Sequence, residues 1–358
     1  MLIKDESNKI TVIGLMSGTS LDGVDLAACS FKNLENRWAY ALIKAETIPY
    51  SSEWENKLRH LHEAPAPLVF ETHAALGRMY GEMINAFAHH LPQKPDLIAS
   101  HGHTLFHRPD LDYTTQIGCG AHIAAVTGID TVCDFRSKDV ALGGQGAPLV
   151  PVGDHYLFSD YDACINLGGI ANISMIAENR RIAFDISPVN MALNVLANRE
   201  GLPYDDRGKL AASGEVIPEK LKAMNDLEFY KIKGAKSIGR EWFEKHFLPI
   251  IQNGKTADLC RTVCEHIADQ HTLALQSLPE QAKILVTGGG AFNTFLVERI
   301  SEKSKKQLHV PKKELVQFKE AIVFAFLGVL NYWGRVNVFD SATGSVKQHV
   351  GGAFYRGE

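Results

Sequence analysis

Phe184-Asp185-Ile186-Ser187-Pro188-Val189-Asn190 places a carboxylate at a predicted strand end, just before a predicted helix. Ligands of α/β proteins bind at such ends, and a recessed aspartate there is suited to take a proton from a nucleophile. Ser187 could cap the following helix and Pro188 suits its first position, so structure accounts for those two residues and not for Asp185.

Glycine-rich turns are the second chemical signal. Ile13 to Met16 is an apolar strand, Ser17-Gly18-Thr19-Ser20-Leu21-Asp22-Gly23 a turn, and Val24-Asp25 opens another strand. Ile165-Asn166-Leu167-Gly168-Gly169-Ile170-Ala171-Asn172 repeats that build near mid-chain. Glycine lets backbone approach a phosphate, and turn N–H groups can form an anion nest. Asp22 and Asp25 add carboxylates of the kind that hold Mg²⁺ beside phosphates; ordinary turn chemistry is the competing reading. Gly288-Gly289-Gly290, between a strand ending at Thr287 and a helix, would let a phosphate or a flat group lie against backbone. His101-Gly102-His103, with His107, His122 and Asp134, raises a metal-dependent hydrolase as an alternative; histidines lining a polar cleft are the commoner arrangement. Glu320, Arg240 and Glu241 read as residues near helix starts, where acids suit the helix dipole.

The elements that must position these groups form a repeated series. Three strands (9–16, 24–31, 38–48) precede helices from Ser52 and up to about His90, a strand at 96–100, a helix at 121–127 and a strand at 129–135. Ser52 with Glu55 suggests a capping box. Residues 136–151 are charged and then glycine-rich, a candidate crossing between lobes. Strands from 163, 170 and 181 restart the pattern. Helices at 189–200, 218–225, 242–252 and 256–278, a strand at 283–287 and helices near 292 and 319 follow. The expected fold is α/β: two similar lobes, 1–140 (with 336–358) and 141–335, each a mixed sheet flanked by helices, with the active site in the cleft between them.

The totals exclude several classes. The 358 residues are 45% hydrophobic and 22% charged, with a formal net charge of −4, which gives no electrostatic reason to expect nucleic acid. The six cysteines form no CxxC pair and suggest a reducing compartment. Met1 to Asn8 lacks the apolar core of a signal peptide, and no uninterrupted apolar run suggests a membrane span, so a cytoplasmic protein is expected.

Several blocks resemble the anhydro-N-acetylmuramic acid kinase family: Gly14 to Asp25, Ser100 to Thr104, Gln116 to Gly118, Asp134 to Pro151, Asn166 to Asn172, Ser237 to Glu241, Val286 to Gly290 and Lys319 to Ala325. The resemblance implies a sugar kinase of the actin-like ATPase type, using ATP and Mg²⁺ as a homodimer. It opens the anhydro bridge with water and phosphorylates O6, giving N-acetylmuramic acid 6-phosphate from a sugar of peptidoglycan turnover. It also implies roles. Asp185 is the base. Gly18, Thr19, Ser20, Leu21, Asp22, Gly23, Val24 and Asp25 form the phosphate loop, Asp22 serving the metal. Gly168, Gly169, Asn172, Gly288, Gly289 and Gly290 lie on the nucleotide side. His101, His103, Asn190 and Glu320 attend the sugar. The family pattern Asp-Thr-Gly-Pro-Gly-Asn reads Asp185-Ile186-Ser187-Pro188-Val189-Asn190 here, and His103 stands where glutamine is usual. Bulky Ile186 and Val189 could reshape the sugar pocket, which keeps two alternatives open: a kinase for another amino sugar, or a binding protein without turnover.

Overall fold

The computed structural model describes residues 9–18, 21–34, 37–232 and 236–358. The chain divides into two compact units, one of residues up to 157 together with 318–358, the other of 158–317. The dividing points are thus 157/158 and 317/318, where the sequence reading put 140/141 and 335/336.

The sheet of the first unit is built from β1 (Ile10–Ser17), β2 (Val24–Leu34), β3 (Arg37–Ile48), β4 (Leu97–Arg108), β5 (Tyr113–Ile117) and β6 (Thr131–Cys133), with β12 (Ala353–Tyr355) added by the chain's return. Its order is β12-β6-β4-β1-β2-β3, and β5 pairs with β4. β1, β2 and β3 are an antiparallel meander, whereas β4 lies parallel to β1 and β6 parallel to β4.

The second unit contains β7 (Ala163–Leu167), β8 (Ile170–Ala177), β9 (Arg180–Pro188), β10 (Lys283–Thr287) and β11 (Gln307–His309), ordered β11-β10-β7-β8-β9. It opens with the same antiparallel meander, and its fourth and fifth strands again add parallel on the other side of the first. Leaving out β5 and β12, the two sheets have one topology. The turns after β1 and after β7 therefore occupy equivalent places, as the sequence repeat suggested.

Alternation decides which face of each strand is apolar. In the second unit Ala163, Ile165 and Leu167 of β7 join Ala171, Ile173, Met175, Ile186, Val286 and the helix Thr256–Leu275 in one core. The opposite face keeps Asn166, Asn172 and Asp185. In the first unit Ile13, Leu15, Leu26 and Ile98 pack against Leu76, Tyr80, Ile84 and Phe87 of the helix Ala66–Ala88. The other face carries the helix Lys313–Tyr332. It approaches β1 so closely that a Cβ on Gly14 would run into the Ala321 carbonyl oxygen.

That helix is long and apolar enough to cross a membrane by length and composition, yet 72% of its apolar window is buried inside the protein. Its apolarity serves a core. It also corrects the expected start near Lys319: Glu320 lies well inside the helix, so the helix dipole does not explain an acid there. The first helix begins at Ser52 with Ser51 as its cap, accepting from the Trp54 amide at 3.3 Å, and Glu55 pairs with Arg59 instead of closing a capping box. The strand expected at 96–100 runs on to Arg108 and turns back as β5.

Candidate active site

Asp185 lies on β9, directly opposite Asn172 of β8, which lies opposite Asn166 of β7; Asn166 is in turn beside Thr287 of β10. Residues in register share a face, so four polar side chains form a row across the sheet. Asp185 is held from the far side as well. Its Oδ2 accepts from the Ser237 hydroxyl at 2.9 Å and the Ile238 amide at 2.8 Å, and its own amide donates to the Lys236 carbonyl at 2.9 Å. Burial raises its carboxyl above the usual aspartate range, and the two hydrogen bonds pull the other way. A half-buried carboxylate with a raised pKa is suited to accept a proton near neutrality.

The two bulky departures beside it do not face the polar row. Ile186 is 3% exposed and Val189 is fully buried, both within the apolar core. Strand alternation sets Asp185 and Ile186 on opposite faces, Ile186 with Ile182 and Phe184 towards the core. The capping roles expected of Ser187 and Pro188 are not found. Both lie in β9, and the helix starts at Asn190. Its first amides are satisfied by the glycine turn: the Gly169 carbonyl accepts from Val189 at 2.9 Å and Met191 at 3.1 Å, and the Gly168 carbonyl from Asn190 at 3.2 Å.

Asn190 also binds that turn, its side-chain amide donating to the Leu167 carbonyl at 3.2 Å. The triple glycine arrives at the same place. Gly288 has φ +81°, and a Cβ on it would collide with Asn166 Oδ1. On Gly290 a Cβ would lie 2.9 Å from the Leu167 carbonyl oxygen and 3.2 Å from Asn190 Oδ1. Gly168, Asn190 and Gly288 to Gly290 are thus one assembly of close backbones. Gly169 has open space where a side chain would go, and Gly289 only an ordinary contact with Asn190 Nδ2. These two glycines leave room beside the backbone for a ligand.

In the first unit, Thr19 and Ser20 lie outside the described residues. Leu21 takes a left-handed φ of +60° and buries its side chain in the core, as Val24 does; any contact they make with a phosphate is through backbone. Gly23, at φ +156°, packs against the end of β3, where a Cβ would meet the Ile48 carbonyl oxygen at 2.5 Å. Asp22 is exposed on the turn. Asp25 lies opposite Thr47, whose hydroxyl donates to it at 2.5 Å. Burial raises the Asp25 carboxyl, the Thr47 hydrogen bond opposes that, and the Asp22 charge adds to it. Asp25 and Thr47 repeat, in the first sheet, the strand positions of Asn172 and Asp185 in the second.

The histidine pair near Glu320 has a definite protonation pattern. His101 accepts from Arg136 Nε at 2.9 Å through Nε2, so its Nδ1 carries the proton and donates to the Gly102 carbonyl at 2.9 Å. Burial, with the Arg136 charge, holds the His101 pKa well below the ordinary value. With both ring nitrogens engaged, His101 has no lone pair for a metal. Among the described residues no three His, Cys, Asp or Glu side chains converge to hold one. Arg136 also donates to the Gly146 carbonyl at 2.5 Å, and burial pulls its pKa down to about 10. Its positive charge faces Glu320. The protein packed around Glu320 raises its carboxyl, Arg136 and Lys319 oppose that, and Asp25 reinforces it, although the side chain keeps access to solvent.

Sequence reasoning missed Ser237 and Ile238 as holders of Asp185, and Arg136 as the link between His101 and Glu320. All three stand in the blocks that carry the family resemblance, but no spacing rule connects them with their partners.

The protein is of the α/β class, two units of one topology, each with a glycine turn after its first strand and a carboxylate of raised pKa on its meander, Asp25 on β2 and Asp185 on β9. Residues 10–357 match the family model for anhydro-N-acetylmuramic acid kinase. The protein of that name from Caldanaerobacter subterraneus subsp. tengcongensis is 34% identical over 93% of this chain and 94% of its own. Its namesake from Hydrogenovibrio crunogenus is 33% identical over 96% and 97%, and that from Actinobacillus pleuropneumoniae serotype 7 is 34% identical over 94% and 96%. The chain belongs to the anhydro-N-acetylmuramic acid kinase family.

Proposed function

We propose that this chain uses ATP to open 1,6-anhydro-N-acetylmuramic acid with water and to phosphorylate the freed O6. The observation that carries the reading is Asp185: a half-buried carboxylate above its usual pKa, fixed from two sides, at the polar end of a sheet whose glycine turns leave open backbone. Asp185 takes a proton from water as the water oxygen bonds to C1. The C1–O6 bond breaks, and O6 takes the γ-phosphoryl group as ADP leaves. Gly168, Gly169 and Gly288 to Gly290, and in the first unit the turn from Gly18 to Asp25, supply the close backbone that phosphates need.

A nucleotide-borne Mg²⁺ needs only one or two protein carboxylates, because phosphates and water fill its other positions. The exposed Asp22 fits that demand, and the metal would neutralise phosphate charge. Glu320, beside Arg136, serves the sugar. The actin-like arrangement of two lobes, a cytoplasmic setting and a homodimer belong to the same proposal and rest on the family resemblance. Burial of Ile186 and Val189 in the core supports an unaltered sugar pocket over a changed substrate.

The test is turnover of the anhydro sugar with ATP and Mg²⁺, followed by mass spectrometry. A product heavier than the sugar by water plus a phosphoryl group is expected. Phosphorylation without uptake of water, or no product from folded protein that binds ATP, overturns the reading. Asp185→Asn should bind nucleotide and form no product.

A further inference from the structure

Asp185 stands on an edge strand, and the stretch that covers it there is not a strand. β9 is the last in the order of its sheet, so its outer backbone groups need partners from elsewhere. Residues 236–238 make three successive contacts with Asp185. The Lys236 carbonyl accepts from its amide, and the Ser237 hydroxyl and Ile238 amide donate to its Oδ2. This stretch belongs to no helix or strand, and Ser237, Gly239 and Arg240 are exposed. Regular backbone pairing does not fix it, so side chains must.

Ile238 does so by burial, and Lys236 by charge. The Lys236 ammonium lies 4.6 Å from the centre of the Phe229 ring, 5.8 Å from that of Tyr230 and 3.4 Å from the Phe229 carbonyl oxygen. A cation within about 6 Å of a ring centre is attracted by the ring's quadrupole, and more strongly out of water. Burial lowers the Lys236 pKa, so this contact is partly out of water. The Phe229 ring also meets Trp242, with centres 5.2 Å apart. One ring therefore holds the chain on both sides of the exposed residues. The seat has its own support. Phe229 is buried, and the adjoining Tyr230 hydroxyl is hydrogen-bonded to His266 Nε2 of the helix 256–275 at 2.8 Å. Contacts thus run from a core helix through Phe229 and Lys236 to the Asp185 carboxylate.

We infer that Lys236, seated on Phe229, is a positioning residue that holds the Ser237 hydroxyl and the Ile238 amide on the Asp185 carboxylate. Lys236 acts through Asp185 and not on the substrate. Its consequence for turnover rests on the proposed role of Asp185 as base; the positioning itself does not. Burial raises the Asp185 pKa and these two hydrogen bonds oppose it, so a loosened stretch leaves burial less opposed.

The positioning is read in the ligand-free, full-length protein by ¹³C titration of the aspartate carboxyls, with Asp185→Asn to assign the signal. Lys236→Met keeps the stem and removes the cation at a half-buried surface position, so it should fold. The Asp185 pKa should rise in it by up to about one unit. Phe229→Leu, which keeps the lysine charge and removes its seat, should raise it as well. Lys236→Arg, which keeps a cation for the ring, should leave it near the parent value. An Asp185 pKa that stays or falls in Lys236→Met overturns the inference. So does a rise in Lys236→Met with none in Phe229→Leu, which is the direct effect of a lost charge. In turnover of the anhydro sugar, Lys236→Met should lower kcat about tenfold with KM for ATP unchanged, and Lys236→Arg should restore it. A raised Asp185 pKa with unchanged kcat would uphold the positioning and remove Asp185 as the base, which tells the two readings apart.

Discussion

Lys319 and Asp154 form an ion pair of 2.7 Å with both side chains buried. Lys319 precedes Glu320 on the helix 313–332, and Asp154 belongs to the helix Val150–Tyr156. The two helices touch closely here, since a Cβ on Gly153 would collide with Val323. Removing one partner of a buried pair leaves a bare charge in a poor solvent. Asp154→Asn should therefore lose about 3–5 kcal/mol of stability in denaturant melts of the whole chain, and Asp154→Leu with Lys319→Met should recover most of that loss. A loss below about 1 kcal/mol would mean that solvent reaches the pair.

The Asp185 carboxylate owes part of its charge stability to Ser237. A hydrogen bond to the ionised form lowers a carboxyl pKa, and burial here outweighs it. With Asp185 as base, kcat should fall on the acid side at a pH above the ordinary aspartate range. Ser237→Ala removes the lowering contact, so the acid limb should move further up, by at most about one pH unit because Ser237 is exposed. The pH profile of kcat measures this, and a limb that stays put or moves down would contradict the assigned base.

Much of this arrangement was legible in the residues. The Gly-turn phrase, read twice, anticipated two sheets of one topology, because a meander joined by a tight turn leaves a local mark. Asp185 at the polar end of a strand was legible for the same reason. What stayed hidden depends on contacts distant in sequence. No periodicity links Arg136 to His101 or Ser237 to Asp185. Ile186 shares the core face with Ile182 and Phe184, four and two residues back on β9, and stayed hidden because the strand runs on to Pro188, past the end that the sequence reading put at Asp185. Glu320 was misplaced at a helix start because Lys313 to Phe318 are mixed in polarity and hid the helix's first turns.

The glycines of the second unit should separate by role. Gly288→Ala places a methyl group against Asn166 at a backbone angle that L residues avoid, and should destabilise the fold and weaken ATP binding together. Gly289→Ala meets only an ordinary contact, 3.6 Å from Asn190 Nδ2, at a position without positive φ. It should fold with near-normal stability and still bind ATP less well, because the methyl group occupies the backbone's open side. Melting curves paired with nucleotide titrations distinguish the two. Normal ATP affinity in stable Gly289→Ala protein would remove Gly289 from the nucleotide site.

His271 provides a test of stability against pH. It is fully buried in the helix 256–275, donates from Nδ1 to the Ile267 carbonyl at 2.7 Å, and among the described residues leaves Nε2 without a partner. Burial lowers its pKa from 6.5 to about 4, so between those values the unfolded chain holds a proton that the folded chain does not. Stability therefore rises with pH through that window and is lost as pH falls from about 6.5 towards 4. His266, held down to about 3 and paired with Asn225 and Tyr230, adds to the same slope. His271→Leu removes both the titrating ring and an unsatisfied buried nitrogen. It should match or exceed the parent at pH 7, with an advantage that grows on acidification by no more than about 1.4 kcal/mol per pH unit. Denaturant melts at pH 7, 6 and 5 measure that divergence. Parallel losses in parent and variant would mean that His271 keeps an ordinary pKa in the folded chain.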